Sequence, residues 1–347
     1  MKKYCNWLSQ QFLHHASFGA YLEPVVQTIK PAWRAGFYRA RVVGVDSLVA
    51  NTVALSLQVD RSWPVHKAGQ HIELTLEING KLVTRVFTIA SSPSLVETQR
   101  MVRLVIKQQS HGQLTSSLHD LVIGQWLNIS APMGDFVAEK LVDKSLLLAA
   151  GSGITPFIAM ISSLKGATHQ PQEMHLLYYA KPGEHLLVDE LEALSGAIPG
   201  FSYALMTRTS HGDVTQQLAE YGAIPFYVCG PAPFYQGIAE YAHSQQNELY
   251  SEHFGLAQID TTEKQQFDVS INGKTIALSN QSVVLTQLIE HGEPVTYGCK
   301  MGICHQCQCT KTRGVVKNVL TGQLSDRGEE LIQLCVSQLM TDVELKV

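Results

Sequence analysis

At 347 residues the chain exceeds what a single hydrophobic core usually serves, so two or three domains are expected. With 45% hydrophobic and 16% charged residues its composition excludes a disordered chain and suits a globular one. A formal charge of −4 provides no basic field, which excludes nucleic acid as an obvious partner.

Residues 1–36 form an extension. Its start, Met1 to His15, carries charge but no apolar run and no small-residue cleavage site, so no export signal is expected and a cytoplasmic location is. The triplets at Asn128 and Asn280 then carry no glycosylation meaning. Apolar residues in the extension predict a short helix docked on the body. From Phe37 the pattern becomes strand-like: YRARVVGV, TVALSLQV and HIELTLEI are β-branched or alternating, and the last runs into Asn79-Gly80, a hairpin signal. VTRVFTIA, MVRLVIKQ and QWLNISAP follow, with a short helical segment near Leu114–Leu121. Residues 37–140 therefore read as a small antiparallel β-barrel.

Beyond about residue 140 the rhythm changes. The apolar runs SLLLAA, MHLLYYA, FSYALMT and PFYVCG alternate with the helical FIAMISSL and VDELEAL, which predicts an α/β parallel sheet over 141–260. Ser145–Leu164 is apolar enough to imitate a membrane span, but Gly151, Gly153 and Pro156 break it into strand, turn and helix. Residues 261–347 open on a polar linker. A second Asn-Gly hairpin (FDVSINGKTIALS), a helix (SVVLTQLIEHG), a cysteine loop and a strand near Val343 follow in the order of an α+β β-grasp unit.

Of seven cysteines, four lie between Cys299 and Cys309, which is no disulfide framework. Cys299, Cys304 and Cys307 have the C-x4-C-x2-C spacing and Cys335 follows after a gap, the plant-type [2Fe–2S] arrangement. Gly298 and Gly302 permit the loop to wrap a cluster closely. Cys309, two residues past Cys307, reads as a buried thiol rather than a ligand. Four thiolates also suit a structural zinc, although zinc sites usually pair two C-x2-C knuckles and here the fourth cysteine stands alone.

Three further motifs precede the cysteines. Arg85-Val86-Phe87-Thr88 is a common tetrapeptide by itself; Ala68-Gly69-Gln70-His71 lies upstream, and Gly112-Gln113-Leu114-Thr115-Ser116 opens a short helix downstream, after Lys107. Gly151-Ser152-Gly153-Ile154-Thr155-Pro156 joins an apolar strand to a helix, as a pyrophosphate loop does. It lacks the third glycine of the dinucleotide fingerprint, and the next strand ends at Lys181 instead of an acid. Cys229-Gly230-Pro231-Ala232-Pro233-Phe234 closes another strand, and Glu252-His253-Phe254 follows. Gly273-Lys274-Thr275 imitates a P-loop tail, but Asp268 occupies the first glycine position.

Taken in order, these runs resemble the C-terminal-ferredoxin branch of the ferredoxin–NADP reductase superfamily, to which phthalate dioxygenase reductase and related oxygenase and desaturase reductases belong. The resemblance spans about residues 37–347. It implies an antiparallel barrel binding FAD, with FMN as the alternative, an α/β domain binding NADH or NADPH, and a ferredoxin-like domain whose ligands are Cys299, Cys304, Cys307 and Cys335. Arg85 would hold a flavin phosphate, Phe87 would stack on the ring, and Thr88 would reach its redox nitrogen. The family's usual Tyr is Phe87 here, which removes a phenolic hydrogen bond. Lys107, Gly112, Thr115 and Ser116 would serve the phosphate; Gly151, Gly153, Thr155 and Pro156 the nucleotide. Cys229, Gly230 and Pro231 would lie beside the nicotinamide, and Glu252 would approach the flavin. His305 stands where the family often has a small residue. Lys181 and Arg208 favour a 2′-phosphate, whereas Asp213 opposes it.

The implied activity is that of an NAD(P)H-dependent reductase passing electrons through FAD and [2Fe–2S] to a partner protein. The LEPVV…KPAW stretch resembles reductases of fatty-acyl desaturases, which would place the chain near the inner face of a membrane; soluble oxygenases and hybrid-cluster proteins are rival acceptors. A rival of another class is a non-catalytic zinc-bearing interaction protein on a degenerate reductase scaffold.

Overall fold

The computed structural model describes residues 18–34, 38–108, 113–166, 172–254, 259, 263–271, 273–298, 302 and 305–346. The chain divides into two compact units, one of residues up to 213 with 221–227, the other of 214–220 with 228 onward.

The first unit opens with helix α1 (Phe18–Ile29). After α1, Gln27 Nε2 donates to the Trp33 carbonyl at 3.0 Å, and Arg39 of the first strand donates from Nη1 to the Pro31 carbonyl at 2.6 Å. Six strands follow: β1 (Tyr38–Leu48), β2 (Thr52–Val59), β3 (His71–Ile78), β4 (Lys81–Thr88), β5 (Met101–Lys107) and β6 (Trp126–Ile129). They are arranged β4-β3-β6-β1-β2-β5 and each pairing is antiparallel. Asn79 and Gly80 both have positive φ, 51° and 74°, the conformation a two-residue hairpin requires. Alternation puts Val53, Leu55 and Leu57 opposite Ile106, Leu104 and Val102, and all six are buried in one core. Helix α2 (Pro93–Gln99) precedes β5, and the one-turn α3 (Gln113–Ser116) with the 3₁₀ turn Ser117–Asp120 buries Leu114 and Leu118 in the same core.

In the same unit β7 (Lys144–Ala150), β8 (Glu173–Tyr179) and β9 (Phe201–Met206) are parallel, with Leu148 opposite Leu177 and Leu177 opposite Ala204. Helices α4 (Ile154–Leu164) and α5 (Val188–Ala197) connect them. Every residue of α4 from Ile154 to Ile161 is buried, which explains why this stretch reads as apolar as a membrane span. Among the described residues no helix is long and apolar enough to cross a membrane.

Strand β10 (Phe226–Pro231) carries the chain into the second unit, where α6 (Ala232–Gln245) and β11 (Leu249–Phe254) follow. A mixed sheet then forms from β12 (Gln266–Ile271), β13 (Lys274–Ser279), β14 (Gln308–Arg313), β16 (Glu330–Gln333) and β18 (Val343–Lys346), in the order β13-β12-β18-β14-β16. Its central β12–β18 pair is parallel and its other ladders antiparallel. Helix α7 (Val284–Glu290) and the small β15 (Val316–Asn318)–β17 (Ser337–Leu339) ladder complete it around a core that includes Cys307, Cys309 and Cys335.

Candidate functional site

On β4 the register sets Arg85 opposite Leu74 and Phe87 opposite Ile72, so both project on the barrel-lining face and remain half-buried. Arg85 Nη1 donates to the Thr84 carbonyl at 2.7 Å. Thr88 is 4% exposed, and its Oγ1 has no hydrogen-bond partner among the described residues. A buried hydroxyl left so costs about 1–3 kcal/mol unless a bound group completes it. That is a place where a flavin ring nitrogen or carbonyl fits. α3 packs against β4, with Thr115 buried and Ser116 exposed. Gly112 lies outside the described residues. Lys107, expected at the phosphate, has its ammonium on Glu184 Oε2 at 2.8 Å and keeps that carboxyl below its ordinary range. Upstream, a Cβ on Gly69 would lie 2.2 Å from the Phe136 carbonyl oxygen, so only glycine fits where the barrel meets α4.

The second cluster is the turn Gly151–Gly153 and the start of α4. Gly151 has φ +56° with open space where a side chain would stand, as a backbone cradling phosphates needs. Thr155 Oγ1 donates to the Ser152 carbonyl at 3.0 Å, tying the turn to the helix, and Pro156 occupies the first helical turn. A residue not singled out by sequence reasoning fixes this turn. The fully buried Tyr178 donates its hydroxyl to the Gly151 carbonyl at 3.0 Å and accepts from the Leu186 N–H at 3.0 Å. Burial pushes that phenol up to about 12, so it remains a donor at any working pH. His185 Nε2 lies 3.1 Å from the Tyr178 carbonyl and 3.0 Å from that of Met206, closing the segment onto the sheet. Nothing in an apolar YY pair marks which hydroxyl is anchored, so no sequence signal identifies Tyr178. Lys181 is exposed just beyond β8, while Arg208 Nη2 lies 3.7 Å from Asp213 at the surface. The two residues read as opposing influences on a 2′-phosphate therefore form one exposed pair.

In the second unit Cys229 is wholly buried on β10, and burial, with Glu252 adding to it, holds its thiol well above the ordinary range. It is a neutral, polarizable contact surface rather than a nucleophile. Gly230 and Pro231 end the strand and Pro231 caps α6. Glu252 is buried on β11.

Of the expected cluster ligands, Cys299 and Cys304 lie outside the described residues. Cys307 and Cys335 are brought into one core, and the Gly302 N–H donates to Cys335 Sγ at 3.1 Å, a contact suited to a thiolate ligand. Gly302 has φ +77°, and a Cβ there would meet Val336 Cγ1 at 2.8 Å, so the loop needs glycine. His305 Nδ1 is within hydrogen-bond reach of the amides of both Gln308 and Gln333, and Gln333 also donates to the Gly302 carbonyl. Cys309 is buried on β14 with its thiol raised to about 12 by burial and by Cys307.

Residues 39–137 match the family model of the oxidoreductase FAD-binding domain, and residues 147–240 that of the oxidoreductase NAD-binding domain. A vanillate O-demethylase oxidoreductase of Pseudomonas putida is 30% identical over 261 residues, covering 72% of this chain and 79% of that protein. An NADPH oxidoreductase of Mycobacterium tuberculosis is 27% identical over 339 residues, 91% of this chain and 86% of that one. Among solved structures, phthalate dioxygenase reductase, described as a modular structure for electron transfer from pyridine nucleotides to [2Fe–2S], superposes with a TM-score of 0.61 at 20% identity, over 90% of this chain and 98% of that chain.

Proposed function

The chain belongs to the ferredoxin–NADP reductase superfamily and is an NAD(P)H-dependent oxidoreductase, and from that premise we propose that it delivers electrons through FAD and a [2Fe–2S] cluster to a partner oxygenase. The observation that carries the reading is the order of its parts. A barrel matching an FAD-binding domain and a sheet matching an NAD-binding domain are followed by a third sheet in which an amide addresses a buried cysteine sulfur. We accordingly divide the chain at 37–140, 141–260 and 261–347, after the 1–36 extension.

When bound, the cofactors supply hydride acceptance and single-electron transfer; the protein supplies geometry, hydrogen bonds and exclusion of water. Arg85, with Gly112, Thr115 and Ser116, would hold the flavin phosphates, Phe87 would lie against the ring, and Thr88 Oγ1 would bond to it. Gly151, Gly153, Thr155 and Pro156 would seat the nucleotide pyrophosphate, and Lys181 and Arg208 lie in the stretch that would decide the 2′-phosphate. Cys229, Gly230, Pro231 and Glu252 keep the nicotinamide and flavin roles that their motif implies. Cys299, Cys304, Cys307 and Cys335 would hold the iron.

Among acceptors, relatives named as the reductase subunit of a glycine betaine monooxygenase and the electron transfer component of a toluate 1,2-dioxygenase favour an oxygenase over a desaturase or a hybrid-cluster protein. Anaerobic titration of the purified protein with NADH and separately with NADPH is expected to bleach the flavin band with at least one of them. Absence of bleaching with both would overturn the reductase reading. Metal analysis giving zinc instead of iron would overturn the cluster.

A further inference from the structure

We infer that Arg103 and Lys107 are positioning residues that clasp the nucleotide turn Gly151–Gly153 to the flavin barrel, and that neither is a flavin ligand. The inference rests on the reading of Gly151–Pro156 as the nucleotide loop.

β5 is buried on its core face, and on the other face buried Val105 lies between half-buried Arg103 and Lys107. Val102, Leu104 and Ile106 point into the barrel core, whereas Arg103, Val105 and Lys107 share the opposite face. β5 runs against the Gly151–Gly153 turn, and Val105 is only 5% exposed. The two cations flanking Val105 each take one carboxylate from a single short stretch of chain. Arg103 grips Glu190, in the first turn of α5, with both prongs: Nη1 to Oε1 at 2.5 Å and Nη2 to Oε2 at 2.7 Å. Lys107 holds Glu184 at 2.8 Å. Arg103 Nη2 also donates to the Ala90 carbonyl at 2.9 Å, two residues beyond Thr88, so one guanidinium joins the end of the flavin strand to α5. Between the two carboxylates lie His185, bonded to two strand carbonyls, and Leu186, whose N–H bonds the Tyr178 hydroxyl that in turn holds the Gly151 carbonyl. Displacing residues 184–190 would therefore displace the nucleotide turn relative to β4.

Such half-exposed pairs add little to global stability, so variants are expected to fold. What they set is reach, and misplacement of about 1 Å between reacting groups costs rate steeply. Lys107→Met, Glu184→Gln and Glu190→Gln are the variants to compare. In the cofactor-free protein, hydrogen exchange across residues 151–157 is expected to quicken in all three. FAD affinity should stay within about twofold of the unaltered protein, because no flavin contact is lost. In the FAD-loaded protein, flavin reduction at saturating nucleotide should slow roughly tenfold, and Lys107→Met/Glu184→Gln should be no slower than either single variant. If Lys107→Met alone weakens FAD binding more than about tenfold while Glu184→Gln does not, Lys107 is a phosphate ligand and the clasp is overturned. Unchanged exchange in the single variants also overturns it. A protein that binds no FAD would instead defeat the reductase reading, and the exchange measurement would still decide the clasp.

Discussion

Thr88 offers a test in which the folded protein and the cofactor pull in opposite directions. Its hydroxyl is buried and has no partner among the described residues, so the apo-protein gains nothing from it. Replacing it with the isosteric valine removes a desolvated donor, and Thr88→Val is expected to leave the apo-protein's unfolding temperature unchanged or raised. If a flavin atom completes that hydroxyl, the same variant should weaken FAD binding by about 1–2 kcal/mol, roughly tenfold in Kd. A variant less stable without FAD and unaltered in affinity would show that the hydroxyl serves the fold.

At the scale of elements, the strands and turns were the legible part. Asn79-Gly80 reads as a hairpin because both positions need positive φ, and Gly151–Pro156 reads as a strand-to-helix turn because its glycines and proline permit nothing else. The pairing of charges was not legible. Lys107 ends a strand just before a phosphate-type segment, which makes it look like a phosphate ligand, while its partner Glu184 is 77 residues away in sequence. Lys311 is equally opaque: a lysine in a strand suggests a solvent-facing side chain, yet it is fully buried and donates to the Asp326 and Gly328 carbonyls. Tyr178 belongs to the same class, since periodicity places its ring in the core but says nothing of its hydroxyl. Tyr178→Phe strands the Gly151 carbonyl and the Leu186 N–H together, so a loss of about 1–3 kcal/mol is expected by denaturant unfolding. The loosened turn should raise KM for the nucleotide more than it lowers kcat. An unchanged KM would separate the hydroxyl from nucleotide binding.

For the whole molecule the decisive quantity is the number of electrons moved at each stage. A nicotinamide gives up two electrons as hydride, whereas a plant-type cluster handles one, so on the proposed function the flavin would stand between them and the cluster last. An acceptor able to take electrons from the flavin directly bypasses the cysteines; a protein acceptor served by the cluster does not. Cys335→Ser exchanges a soft sulfur for a hard oxygen at a proposed ligand position and weakens the sulfur contact from the Gly302 N–H, so cluster content should fall. Because Cys335 packs with Val336 and Leu339 in the core of the C-terminal sheet, the variant's fold is checked by its retained flavin and its circular dichroism. With those intact, NAD(P)H-driven reduction of ferricyanide should continue near its original rate while reduction of cytochrome c drops about tenfold or more. Parallel loss of both activities would assign the cysteines a structural task. Retention of both would place the exit for single electrons at the flavin, and residues 261–347 would then have to act in recognising the acceptor.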